Sequence, residues 1–223
     1  MPNGIIYQRL TMTDDIVNPI PPKKRANTRK RLVAGTADLI RRKGLNATSL
    51  RDVVSHVEAS RGAIPHHFPG GKHQLLVEAV QFAGEQVSVP LGQVLESQGS
   101  VRGLASFMTQ WGKMLEDSQF DAGCPILVAA VEPYDGEDQP IPGLGSLREK
   151  TNQVFNDWHH LLKHALQREG VAPRRAESLC TLVVAAVEGS IALCRAQRSA
   201  QPLHEIKREL IPLLEQAITQ SQA

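Results

Sequence analysis

The chain has 223 residues, of which 41% are apolar, 22% charged and only 4% aromatic, and its net charge is +2. A chain of this length buries a core without a disulfide or metal staple, and its apolar content excludes a wholly disordered protein. Three widely spaced cysteines (Cys124, Cys180, Cys194) with no Cys-x-x-Cys pair argue against a zinc ribbon and a secreted disulfide framework, and favour a reducing, cytoplasmic compartment. In chain order, the first twenty residues lack a basic start followed by an apolar run, so they do not read as a secretory signal. Residues 1–26 show no helical periodicity, and Pro19, Pro21 and Pro22 break any element there. They read as an arm whose end carries Lys23, Lys24 and Arg25.

A first helix is expected from Asn27 or Thr28, with Leu32, Val33, Ala37 and Ile40 on one face and Gly44 as its stop. Ser49 with Asp52 three residues on resembles a capping box, opening a second short helix with Leu50, Val53, Val54 and Val57. Ser60 is a cap for a third helix, Arg61 to His67, which Pro69-Gly70-Gly71 ends. Lys72 begins a fourth helix. About three residues separate helices two and three, a helix-turn-helix spacing. Val101–Leu115 is a further helix. Gly123-Cys124-Pro125 is a break before Ile126–Val131, and Pro133–Gly145 is an exposed loop. Long helices follow over Leu147–Arg168, Pro173–Arg198 and Pro202–Ile218. No alternating strand pattern and no stretch of ~18 uninterrupted apolar residues occurs, so an all-α fold with no membrane span is expected.

The charge is split along the chain. Residues 1–80 hold 13 Lys+Arg against 6 Asp+Glu, and residues 81–223 hold 12 against 17. A basic head on an acidic body points to a polyanionic partner for the head.

The stretch TRKRLVAGTADLIRRKGLNATSLRDVVSHVEASRGAIPHHFPGGKHQLLVEAV, residues 28–80, resembles the DNA-binding domain of the TetR family of bacterial transcription regulators. The matching elements are Gly44, Ala47-Thr48-Ser49-Leu50, Ser60-Arg61-Gly62, His66-His67-Phe68 and Lys72. Pro69-Gly70-Gly71-Lys72 and Gly123-Cys124-Pro125 resemble the LmrA/YxaF branch. The resemblance implies an all-α homodimer. It divides the chain into an arm (1–26), a three-helix helix-turn-helix DNA-binding domain (27–73) and a larger helical effector-binding and dimerisation domain (74–223). It implies double-stranded operator DNA and a small, lipophilic effector as partners, the effector releasing the operator. Two residues depart from the pattern. Glu58 stands where the family has glycine in the turn, which costs on the order of 1 kcal/mol if φ is positive there. Pro65 replaces an aromatic phosphate contact and removes a backbone donor inside helix three.

On the DNA face, Gly62 lets the backbone approach the groove, and Arg61 suits guanine O6 and N7 or a phosphate. Ala63 suits a thymine methyl. His66 and His67 can donate to phosphates or base edges. Thr48 belongs to the matched motif, and Ser49 and Ser60 suit phosphate oxygens. The resemblance makes Lys72 a phosphate anchor, and Lys23, Lys24 and Arg25 extend the DNA contact. In the body, Phe107, Met108, Trp111, Leu115, Ile126, Leu127, Phe155, Trp158 and Glu188 are the candidate effector pocket. The last two helices, with Ala185, Ala186, Gly189 and Ser190 permitting close approach, are the expected dimer interface.

No catalytic constellation is present: there is no H-E-x-x-H and no G-x-S-x-G, and Gly70-Gly71-Lys72 lacks the earlier glycine of a nucleotide loop. His160 and His164 at i and i+4 lack a third metal ligand. No enzyme activity, metal or cofactor is expected. The alternatives to a ligand-released repressor are a ligand-independent DNA-binding factor of the same fold and an all-α enzyme.

Overall fold

The computed structural model describes residues 28–222. Eight helices are formed among them: α1 (Thr28–Lys43), α2 (Leu50–His56), α3 (Ala63–His67), α4 (Gly71–Asp117), α5 (Pro125–Val131), α6 (Leu147–Arg168), α7 (Pro173–Gln197) and α8 (Gln201–Gln222). There is no strand among the described residues; one isolated bridge joins Ile141 and Gly145. Lys23, Lys24 and Arg25 lie outside the described residues.

Local chemistry sets the helix ends of the head. The Ser49 side chain accepts from the Asp52 amide and Asp52 answers on the Ser49 amide, a complete capping box on α2. Such a cap contributes about 1 kcal/mol. Lys43 pairs with Asp52 at 2.5 Å, and the hydrogen bonds from Lys43 and Ser49 hold the Asp52 carboxyl down to about 2. After α2 the chain turns through Glu58, whose φ of 50° is left-handed. A side chain there carries a cost that glycine would not.

The third helix begins at Ala63 rather than Arg61. Its cap is Gly62, which has no side chain to bond, while Ser60 contributes its carbonyl to the Ala63 amide at 3.0 Å. Pro65 is therefore the third helical residue. The first four amides of a helix have no partner inside it, so the N–H that Pro65 lacks is not missed within α3. The following bond, Phe68 N–H to Ile64 C=O, is intact at 2.7 Å.

The three short helices close on a small core of Leu32, Val53, Val57, Ile64, Phe68 and Leu75. Arg29 and Arg31 serve this head internally. Arg29 pairs with Glu78 at 2.6 Å and lies 5.1 Å from the Phe68 ring, and Arg31 donates to the Val57 carbonyl at the end of α2.

Where helices from Lys72 and from Val101 are expected, α4 runs as two helical arms that meet directly, with no loop between them. It contributes Leu75 to the head core and Val87, Leu91, Leu104 and Trp111 to the larger body core. Its one break is Gly99, at φ 79°. There the Glu169 carboxylate, from the turn after α6, accepts from the Ser100 amide at 2.7 Å and caps the second arm. A Cβ on Gly99 would stand 2.7 Å from Glu169, so both the backbone angle and the cap require glycine. The body packs α4 against α6, with α7 and α8 alongside. Of the described helices, α7 alone is long and apolar enough to cross a membrane by length and composition. Only 44% of its most apolar window is buried inside the protein.

Candidate nucleic-acid interface and effector cavity

The outer face of α3 and the turn before it expose Ser60, Arg61, Gly62, Pro65 and His66, and His67 is half-buried. A Cβ placed on Gly62 would meet nothing within 4 Å, so the backbone is open to a close partner. Ser49, the cap of α2, is exposed as well. Two expected contacts turn inward. Ala63 is only 8% exposed because its methyl packs in the head core. Thr48 is 1% exposed, and its hydroxyl donates to the Gly44 carbonyl at 2.6 Å. Neither side chain reaches the surface.

Arg51 and Ser55, both exposed on α2, line an open groove with Glu58, Arg61 and Pro65. The groove thus holds a second arginine beside Arg61. Its place on the outer face of α2 gives it that position, while its neighbours Leu50 and Val53 turn toward the core.

Lys72 sits in the first turn of α4 and donates to the Asn46 carbonyl at 3.3 Å. It lies at the joint between head and body. At this joint, Glu132, just past α5, accepts from the Leu45 amide at 2.8 Å with one carboxylate oxygen and from the Asn46 amide at 2.9 Å with the other. Asn46 donates to Pro133 O at 2.7 Å and accepts from the Asp135 amide at 3.1 Å. At the other end of α5, the Gly123 amide donates to Arg41 O at 2.9 Å. Nothing local marks Glu132 for this task; it is 87 residues from Leu45, and only the fold brings them together.

Beside the joint, Asp38 is buried between Arg41 at 2.6 Å, Arg42 at 3.0 Å and His56 of α2 at 2.9 Å. Burial alone would raise this carboxyl, but the Arg41 and Arg42 guanidiniums outweigh it and hold the group below its ordinary range. The contact of Asp38 with His56 ties α1 to α2.

In the body, a small cavity of about 30 Å³ lies among α4, α6 and α7. Phe107, Trp111, Trp158 and Glu188 line it, with Val87 and apolar neighbours. Met108, Leu115 and Ile126 are buried in the core outside this lining, and Leu127 and Phe155 are half-buried against that core. Phe155 supports the site indirectly: its ring meets Trp158 edge-on at 5.4 Å. Glu188 is 7% exposed, and its Oε2 has no hydrogen-bond partner; nor has the Trp158 indole N–H. Desolvation pushes the Glu188 carboxyl up to about 7, against a hydrogen bond from Cys124. The same burial, with Glu188 alongside, raises the Cys124 thiol well above its ordinary value, the opposite of an oxidation-prone thiolate. A second cavity of about 40 Å³ shares Val87 and Trp111 with the first. Its far wall is α1, including Asp38 and Arg41.

The comparisons with known proteins agree with this architecture. Residues 32–79 match the family described as bacterial regulatory proteins, tetR family, and residues 100–209 match the transcriptional regulator LmrA/YxaF-like C-terminal domain. The chain is 36% identical to an uncharacterized HTH-type transcriptional regulator of Mycobacterium tuberculosis, over 83% of this chain and 93% of that one. It is 25% identical to the HTH-type transcriptional regulator LmrA of Bacillus subtilis, over 84% of this chain and 97% of the relative. Among solved structures, a TetR transcriptional regulator from Legionella pneumophila superposes with a TM-score of 0.72 at 21% identity, covering 84% of this chain and 97% of that one. One from Chloroflexus aurantiacus gives 0.68 at 27% identity, covering 85% and 94%. The chain belongs to the TetR family of DNA-binding transcriptional regulators, in its LmrA/YxaF-like branch.

Proposed function

We propose that the protein is a dimeric transcriptional repressor of the cytoplasm, released from its operator by a lipophilic small molecule and acting by binding rather than catalysis. The head, residues 27–73, presents α3 to the major groove, with Ser60, Arg61, Gly62 and His66 toward the duplex and Ser49 and Lys72 toward phosphates. The arm, with Lys23, Lys24 and Arg25, adds charge contacts. The body, residues 74–223, pairs with a second copy through α7 and α8. In support, α7 exposes Leu182 and Leu193 at 45% and 50%, with Ala185 and Gly189 exposed between them. A Cβ on Gly189 would meet nothing, so that stripe is open to a close-packed helix.

One observation carries the ligand reading: the cavity at Glu188 and the cavity against α1 share Trp111 and Val87. A molecule that fills the first must move a wall of the second. Beyond it lie Arg41 and its partner Asp38, whose contact with His56 ties α1 to α2. A parallel route runs from Glu188 to Cys124, along the short α5, to Glu132 and the amides of Leu45 and Asn46 just before α2. The ligand releases DNA only by binding one head arrangement better than the other.

The small volume favours a second reading, a DNA-binding factor of this fold without a ligand. Titrating Trp111→Ala and the wild type against the DNA flanking the gene, with candidate apolar compounds present, separates the two. Altered ligand response with unchanged ligand-free affinity supports the repressor. Failure of every compound to change wild-type affinity supports the second reading.

A further inference from the structure

From the unpartnered carboxyl and the aromatic walls of the inner cavity, we infer that the effector is a lipophilic organic cation, with Glu188 as its counter-charge and Trp111, Trp158 and Phe107 as the surfaces on which it lies. The inference deepens the ligand-released reading above and rests on it.

The observations are these. Glu188 is almost fully buried on a helix that is otherwise apolar at this level, and none of the described cations forms an ion pair with it. Its Oε2 has no partner, although its contact with Cys124 occupies the group in part. A buried carboxyl without a positive partner is costly, and a protein meets that cost only where something else compensates. Every other wall of the cavity is apolar or aromatic. Phe107 and Trp111 meet edge-to-face at 6.4 Å, and Trp158 is held edge-on by Phe155. Aromatic faces attract cations, indole most strongly, and more so when desolvated. What the cavity lacks is a positive charge. The Trp158 N–H, also unpartnered, offers a hydrogen bond to an acceptor elsewhere on the same molecule. The empty space admits a group the size of a single water. A larger ligand enters by displacing Trp111 toward the second cavity, the wall that adjoins α1.

The chain has two tryptophans, and both line this cavity, so intrinsic fluorescence of the full-length protein reports occupancy of the site. The probes are phenyltrimethylammonium and tert-butylbenzene, which share shape and differ in charge. Wild type is expected to bind the cation at least about tenfold more tightly than the neutral isostere. Glu188→Gln, which keeps the shape and removes the charge, is expected to lose that preference. Equal or tighter binding of tert-butylbenzene by wild type overturns the inference, as does a preference that survives in Glu188→Gln or the failure of phenyltrimethylammonium to change the emission. The wild-type comparison stands without the variant if Glu188→Gln does not fold. Operator affinity is followed in the same titrations. Release by tert-butylbenzene overturns the cation and keeps the ligand-released repressor. Tight cation binding with unchanged operator affinity keeps the site and overturns the repressor reading.

Discussion

Arg61 and Glu188 show how one side chain is chosen by its surroundings. Arg61 is exposed on the turn into α3, next to a backbone that Gly62 leaves bare. A guanidinium there can fork onto a guanine edge, so Arg61→Ala is expected to weaken specific operator binding by roughly 1–3 kcal/mol in an anisotropy titration. Unchanged affinity would remove Arg61 from the interface. Glu188 is the opposite case, buried where charge is unwelcome. Its carboxyl titrates near 7 in the folded protein against an ordinary value of 4.5. Between those values the unfolded chain loses this proton and the folded chain keeps it, so stability falls as pH rises through the window and levels off above it. The shift corresponds to roughly 3 kcal/mol. Glu188→Gln is expected to flatten that pH dependence and to raise the melting temperature most at pH 8. A variant with the same pH profile as wild type would show that Glu188 is not the buried acid. No neighbouring residue announces this burial. An acidic residue in an apolar helix is compatible with either face, and the packing of α7 on α4 and α6 decides which.

Among the elements, α5 is short, but both of its ends engage the rest of the protein. Its cap Cys124 meets Glu188 and its far end delivers Glu132 to the loop before α2. Removing the Glu132 carboxylate leaves the Leu45 and Asn46 amides without their acceptor, at a cost of about 1–3 kcal/mol. Glu132→Ala is therefore expected to speed hydrogen exchange at those two amides more than in the α4–α6 core. Exchange that stays slow there would show that the clamp does not hold the joint. The elements themselves were largely legible, because their ends are written locally. Ser49 and Asp52 cap α2, Gly44 stops α1 at φ 96°, and Gly170 follows α6 at φ 97°. What was not legible depends on distant partners. The inward turn of Thr48 and Ala63 is a matter of which face packs. The start of α3 slipped by two residues because Gly62 caps without a side chain. The Glu132 clamp joins residues far apart in sequence. The effect of Pro65 depends in the same way on its distance from the helix start.

At the scale of the whole molecule, a basic head is set on an acidic body, and α4 runs through both cores. The first arm of α4, before the break at Gly99, carries Leu75 in the head core and Val87 and Leu91 in the body core, so the orientation of the head depends on the packing of the body, and pairing through α7 and α8 would fix two heads at one separation. The repressor reading requires that separation to suit successive major grooves. It can be measured directly, since the three native cysteines are buried and a new exposed thiol can be labelled selectively. A spin label at Pro69→Cys, exposed just past α3 and outside the proposed DNA contacts, read by pulsed dipolar spectroscopy on the operator-bound protein, is expected to give a distance centred near about 34–36 Å. Absence of any intersubunit distance, or one that leaves α3 unable to enter both grooves, would contradict the account.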